Sequence, residues 1–529
     1  MEQTDIAIIG AGACGAAAAW SLSRNSSLKI TCLEQGEWQT VANYPPSSAD
    51  WELGTKKTFN SNPNERDGKA DYPIDCTESP IQLANFNAVG GSTILYSGHF
   101  PRFHPSDFKT NTLDQVGDDW PFSYDELEPF FNQNDQIMKT AGLVGDTAMP
   151  PFQFLKPPVP MGPGIRKIAK AFNNKGWHWW PSYSAVNTQR DPKDDSKINW
   201  KPCNSAAARS VDVSYWPLAL QQGVDLRPGC EVIDILLNDE NRASAIIYKD
   251  NFGIEHKLEA SLIILACSAA GTPRLLLKCR SKSFPEGLLN NYDVVGRYLM
   301  LHPLGYVEAE FSENLNSSKG PPGCAIFSQE FYETRKEHDF VRGYTMHVLR
   351  GRPPLDTAVN GFRTRRLPLG TNHHKIFAKQ FDHTLGIAVI SEDFPEAENR
   401  ITLDENLKST NGKIGIKVKY QISENNRKIL KHGLEKSKEV LTEAGGKVTH
   451  AFAPIRHTGW HIMGTARMGT DRANSVVNAF GQAHDVPNLF IMDSSVFVTG
   501  GAVNPASTAQ AVTLKLCDEV MKRKGSILK

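Results

Sequence analysis

The sequence predicts an α/β protein: a Rossmann-like nucleotide-binding domain interrupted by an inserted α+β domain. Three observations predict it. Residues 5–34 spell a complete β-α-β nucleotide-binding pattern. The chain has 529 residues, beyond the size at which one core keeps growing, so two or more domains are expected. Residues 296–455 switch to strand-like runs with one long helical segment, before an apolar strand and a helix resume near the C-terminus.

The first pattern reads D-I-A-I-I-G-A-G-A-C-G-A-A-A-A-W-S-L-S-R-N-S-S-L-K-I-T-C-L-E. Ile6–Ile9 is an apolar run suited to a buried parallel strand, Ala16–Leu22 favours helix, and Leu28–Leu33 is a second apolar strand. Gly10, Gly12 and Gly15 form G-x-G-x-x-G. The first permits the tight turn, the second lets backbone approach a pyrophosphate, and the third lets helix pack on strand. Ala13 stands at the helix N-terminus, whose free N–H groups would hold phosphates. Glu34 follows nineteen residues after Gly15 and would accept hydrogen bonds from the adenosine ribose. A carboxylate there argues against a 2′-phosphate and so against NADP. A lone glycine triplet is weak; strand, glycines, helix, strand and acid in this order are specific. The pattern does not choose between NAD and FAD, but its place at the start of a long chain favours FAD.

Residues 40–80 are polar and rich in Pro, Asn and Asp, an excursion rather than a packed element. Gly90, Gly91 and Ser92, in N-F-N-A-V-G-G-S-T, let backbone approach something closely, either a flavin or nothing beyond a surface turn. Ser123 with Glu126 forms a capping box opening a helix. Trp177–Pro181 (W-H-W-W-P) reads as packing for the second domain or, at lower odds, as an aromatic platform for a sugar ring. C-E-V-I-D-I-L-L is a strand in which Val232 is a candidate adenine contact. Residues 243–258 form a hairpin turning at Asp250–Gly253. S-L-I-I-L-A is an apolar strand ending at Ala266, another candidate contact, and T-P-R-L-L-L-K-C starts a helix with Pro273 near its first turn. Arg350–Lys379 reads as a basic, solvated loop, Gly386–Ser391 as a strand and Glu424–Ala444 as a helix. Near the end, N-L-F-I-M-D is a strand whose Asp493 can bond a ribityl hydroxyl, and Asn504-Pro505 open a helix over 506–520. That helix N-terminus would favour negative charge on a reduced flavin.

Composition narrows the function classes. Lys+Arg equals Asp+Glu at 58 each, which gives no electrostatic footprint for nucleic acid. Nine scattered cysteines without C-x-x-C or zinc spacing read as reduced, buried thiols, with no metal site expected. Met1–Asp5 is polar and acidic, so no signal peptide is expected. No uncharged apolar run approaches the ~18 residues of a membrane span. A cytoplasmic protein is expected.

These segments together resemble a glucose–methanol–choline oxidoreductase over nearly the whole chain: G-A-G-A-C-G with Glu34, V-G-G-S-T, A-A-G-T-P-R-L-L-L, H-I-M-G-T-A-R-M-G, D-S-S-V and N-P. P-R-F at 101–103, D-W-P-F-S-Y-D-E-L-E-P-F-F and G-R-Y-L-M-L-H-P are similar to the sugar- and polyol-oxidising branch, with pyranose 2-oxidases, glycoside 3-oxidases and gluconate dehydrogenase large subunits. The resemblance implies a p-hydroxybenzoate hydroxylase-like FAD domain over 1–110, 205–300 and 455–529, and a substrate domain on an antiparallel sheet over 111–204 and 301–454. It implies bound FAD and oxidation of an alcohol of a sugar, glycoside, amino sugar or polyol, with oxygen, quinone or a redox protein as acceptor. It is compatible with a homo-oligomer or an accessory subunit. His461 falls on the family's catalytic histidine and Asn504 on its partner. A neutral imidazole can take the hydroxyl proton, and an amide can hold the substrate oxygen while hydride leaves for flavin N5. His457 is the near competitor; His99, His104 and His302 read as structural or peripheral. Where some relatives carry a histidine for covalent FAD, this chain has Leu95, so non-covalent FAD is expected. The alternatives are a lyase or photodecarboxylase on the same fold, against which His461 argues, a non-catalytic flavin-binding subunit and, more distantly, an NAD dehydrogenase.

Overall fold

The computed structural model describes residues 2–24, 27–39, 52, 53, 58–66, 68–186, 188, 210–320 and 323–528. Most of the polar excursion between 40 and 57, and Cys203, lie outside the described residues.

The N-terminal apolar run forms strand Glu2–Ile9, buried throughout its second half because neighbours cover both faces. It pairs in parallel with Ile30–Leu33 on one side and with Glu255–Leu265 on the other. Helix Ala13–Ser23 connects the first two strands, and its alanines at 16–19 are buried. In full, the sheet runs Asp225–Arg227, Ile30–Leu33, Glu2–Ile9, Glu255–Leu265, Ala243–Lys249, Glu231–Leu237, with Leu489–Ile491 also on Glu255–Leu265.

The hairpin and the apolar strand expected over 243–265 share one element. Glu255–Leu265 is continuous: Glu255–Glu259 pairs antiparallel with the hairpin arm, while Ile263–Leu265 pairs parallel with Leu489–Ile491. One edge thus serves two partners in succession, and this unites residues far apart in sequence. The following helix also differs from expectation. It begins at Ser268, not near Pro273, which stands in its interior. A proline there cannot donate to the carbonyl four residues earlier. That carbonyl, Ala269 O, instead accepts the Thr465 hydroxyl at 2.7 Å.

A second sheet is antiparallel at every pairing, in the order Lys447–Phe452, Leu304–Glu310, Thr384–Ser391, Tyr344–Leu349, Cys324–Ser328, Trp180–Pro181. Helices Pro163–Lys175 and Glu424–Glu443 cover one face, packing Ile168, Phe172, Ile429 and Leu441 on Met346, Val348, Ile387 and Val389. Period-two alternation sends Thr345 and His347 to the opposite face. Trp177 and Trp179 pack against this second core. The basic segment expected to be a loop holds two short helices, Pro354–Arg363 and His373–Gln380. Phe362 stacks on His373 across them, an apolar contact that solvated-loop composition conceals.

Two packing relations cross the domain boundaries drawn from sequence. Helix Tyr124–Met138, capped by Ser123 and Glu126, buries Leu127, Phe131 and Met138 in the first core. Strand Ile74–Glu78 pairs with Ile414–Lys419 in a third, three-stranded sheet.

Candidate active site

The C-terminal ends of the parallel strands open onto a cavity of about 390 Å³. Its wall includes Gly10, Gly12, Ala13, Glu34, Gly91, Ser92, Val232, Ala266, Asp493, Asn504, Pro505 and His461. Gly15 and Gly90 stand outside this wall. A Cβ on Gly15 would lie 1.8 Å from Gly10 O, so its bareness lets helix meet strand. Gly90 holds φ +102° and donates its N–H to Ala11 O at 2.9 Å, tying the V-G-G segment to the first loop.

At one end, Glu34 accepts the Ala11 and Gly36 amides at 2.8 Å each. Burial nevertheless pushes its carboxyl up to about 7. Helix Ala13–Ser23 begins at Gly12 with no side-chain cap and no acid in its first turn. Its N-terminal N–H groups and dipole are therefore available to an anion. Gly12 and Gly91 face each other so closely that a Cβ on Gly91 would sit 2.9 Å from Gly12 Cα. Asp493 is buried, accepting Thr272 Oγ1 at 2.6 Å and Ser495 N at 2.8 Å. Helix Ala506–Lys522 also starts without a side-chain cap, and Asn504 Oδ1 is buried without a partner. A carboxylate, an uncapped helix start and bare glycine backbone at one end, with an orphaned amide oxygen at the other, suit an adenine dinucleotide carrying a flavin.

His461 and Asn504 come from different loops and meet at that second end. His461 Nε2 lies 3.0 Å from Asn504 Nδ2. His461 Nδ1 lies 3.1 Å from His302 Nδ1, and His302 Nε2 lies 3.1 Å from Gly500 O. Burial drives His461 well below the usual imidazole range, helped by His302, His347 and His99 nearby. It holds His302 and His99 at about 4. Trp460, half-exposed, lines the cavity beside His461. His457 is exposed and His104 stacks on Tyr332 at 3.9 Å, so neither joins the cavity wall.

Sequence reasoning set His302 and His99 aside as structural or peripheral; His302 contacts His461 from outside the cavity wall, and His99 lies on it. His302 is 159 residues from His461 in the chain, and nothing local in L-H-P marks the contact. His99 lines the cavity and gathers with Cys324 and His347, donor atoms within 4.8 Å of one another. His99 Nε2 accepts the Cys324 amide at 3.1 Å, which places its single proton on Nδ1, facing Cys324 Sγ at 3.2 Å. Both nitrogens are engaged, and neither offers a metal a lone pair. The described cysteines are all free thiols, and all but Cys267 are buried.

Comparison with known proteins places this fold among relatives. Two GMC oxidoreductase profiles match, over residues 5–304 and 395–513. A 2-methyl-1,2-propanediol dehydrogenase of Mycolicibacterium austroafricanum is 34% identical across 100% of this chain and 97% of its own. The fructose dehydrogenase large subunit of Gluconobacter japonicus is 25% identical, with 98% of each chain covered. The crystal structure of pyridoxine 4-oxidase from Mesorbium loti shares the fold with a TM-score of 0.67 at 16% identity, over 98% of this chain and 99% of that one.

Proposed function

The chain belongs to the GMC oxidoreductase family, and from that premise we propose that it oxidises a hydroxyl of a polyol or sugar to a carbonyl, with His461 as general base and Asn504 as its partner. It is an FAD-dependent oxidoreductase, and no helix among the described residues is long and apolar enough to cross a membrane. The observation that carries the proposal is the His461–Asn504 pair, 3.0 Å apart on the wall of the cavity that Glu34 also lines.

The residues divide the work by chemistry. Gly10, Gly12, Ala13 and Glu34 would hold the ADP half of FAD, while Gly91, Ser92, Asp493 and Pro505 would border its flavin half. Bound there, FAD supplies the acceptor for the hydride that leaves the carbinol carbon. A substrate hydroxyl entering between His461 and Asn504 would donate to Nε2 and accept from Nδ2, replacing their mutual contact. His461, kept neutral by burial, then takes the hydroxyl proton. His461 is buried, and a contact made away from bulk water is strengthened. The names of the relatives, a propanediol dehydrogenase and a fructose dehydrogenase, support hydroxylated small molecules as substrates.

We also propose that the FAD is non-covalent. Leu95 lines the cavity where a covalent histidine would be needed, and both His99 nitrogens already face Cys324. Acid precipitation should release the flavin into the supernatant; colour remaining on the pellet would refute this. The function is tested by anaerobic mixing of the holoenzyme with 1,2-diols, hexoses and sugar acids. Bleaching of the flavin by members of this set is expected, and no bleaching by any alcohol would overturn the proposal.

A further inference from the structure

We propose that His302 is a positioning residue that sets the tautomer of His461, keeping Nδ1 protonated so that Nε2 meets the substrate as a bare lone pair. This rests on the reading of His461 as the base.

The contacts fix the direction of each proton. Gly500 O can only accept, so His302 Nε2, 3.1 Å away, donates to it. A neutral imidazole carries one proton, which leaves His302 Nδ1 as a lone pair. That atom lies 3.1 Å from His461 Nδ1, which therefore donates. His461 Nε2 is then the lone pair. From the other end, Asn504 Nδ2 can only donate, and it stands 3.0 Å from His461 Nε2. A carbonyl at one end and an amide nitrogen at the other thus demand the same arrangement independently. The reverse tautomer would set two N–H groups against each other at Asn504 and two lone pairs against each other at His302.

The surroundings hold His302 in place. It is fully buried and adopts φ +51°, a conformation that a side-chain-bearing residue keeps only under constraint. Asp393 accepts the adjacent Leu301 amide at 2.7 Å and the Tyr420 hydroxyl at 2.8 Å. A Cβ on Gly500 would lie 3.1 Å from His302 Nε2, so the bare residue lets its carbonyl come close. His99 and His347 act on His461, both pushed down by burial. Behind Gly500 stand Asp393 and Glu392, with Arg342 Nε 3.7 Å from the latter; burial pushes these two carboxyls up to about 7 and about 8. When the hydroxyl O–H bond breaks, its proton goes to His461 Nε2. The imidazolium so formed keeps its Nδ1–H on the neutral His302, which stabilises the charge without itself changing protonation.

The test uses holoenzyme labelled with ¹⁵N-histidine, in wild type, His461→Ala, His302→Ala and His302→Asn, with FAD content as the check on folding. Long-range ¹H–¹⁵N spectra should show His461, assigned by its loss in His461→Ala, as the Nδ1–H tautomer in wild type and as a mixture in His302→Ala. Flavin reduction by a substrate alcohol should fall about 10–100-fold in His302→Ala, part of the ~10²–10⁴ that a general base contributes. His302→Asn, whose amide oxygen can accept from Nδ1–H, should recover the tautomer and much of the rate. An unchanged His461 tautomer in His302→Ala, or equal losses in the Ala and Asn variants with no change of tautomer, overturns the role of His302 alone. Undiminished reduction by His461→Ala overturns the underlying reading as well.

Discussion

His461 works in the neutral form, and its environment extends the pH range over which that form persists. Burial and the neighbouring imidazoles hold it well below the ordinary value of about 6.5. A base whose conjugate acid is this acidic is competent throughout the neutral range and is lost only as pH falls far enough to protonate it. The rate of flavin reduction should therefore be level between about pH 6.5 and 8 and decline only on the acid side. A titration centred at or above 6.5 in the reductive half-reaction would contradict the burial argument. That Gly10, Gly12, Glu34, Asp493, His461 and Asn504 gather at one cavity could be read from short motifs because each combines a distinctive residue type with fixed spacing. His302 was illegible: its significance lies in an orientation toward a residue 159 positions away.

At the scale of elements, the loop carrying His461 and the helix starting at Ser268 are joined through a proline's missing hydrogen bond. Thr465, four residues after His461, fills the vacancy at Ala269 O. Thr465→Val should leave that buried carbonyl unpaired and lower stability by about 1–3 kcal/mol, measured by urea unfolding, whereas Thr465→Ser should cost much less. Equal stability of the Val variant and wild type would show that the contact is dispensable. Gly15→Ala has no room, with Gly10 O 1.8 Å from the added carbon, and should yield protein that loses flavin on gel filtration. The β-α-β unit was legible to within a few residues because its hydrophobic period, glycines and acid all agree. The helix start at Ser268 and the fused strand Glu255–Leu265 were not, because tertiary partners at Thr465 and Leu489–Ile491 decide them.

At the scale of the molecule, the segment between strands Cys324–Ser328 and Tyr344–Leu349 of the second sheet reaches into the first core through Tyr332. Arg342, beside the second sheet, is ion-paired with Asp107 and is almost fully buried. Tyr332 donates to Asp107 Oδ2 at 2.7 Å and accepts the Ala502 amide at 3.0 Å. The loop leading to Asn504 therefore hangs from Tyr332, a side chain of the same core that is supplied by the segment between strands Cys324–Ser328 and Tyr344–Leu349 of the second sheet. Tyr332→Phe should leave the Ala502 N–H without that acceptor and cost about 1–3 kcal/mol. It should also slow flavin reduction while FAD content stays full; unaltered reduction kinetics would mean that the loop is held by other contacts. The two-part α/β architecture was legible from the interruption of the nucleotide-binding pattern. The packing of Tyr124–Met138 and the pairing of Ile74–Glu78 with Ile414–Lys419 were not, since aromatic runs and short strands do not say which core they join.

The central claim is that His461 removes the substrate proton, and it is tested most directly by anaerobic stopped-flow reduction of His461→Ala holoenzyme with an alcohol that reduces the wild type. FAD content and unfolding should match wild type, while the limiting reduction rate should fall by about 10²–10⁴-fold. A fully flavinated His461→Ala enzyme reduced at the wild-type rate would contradict the account.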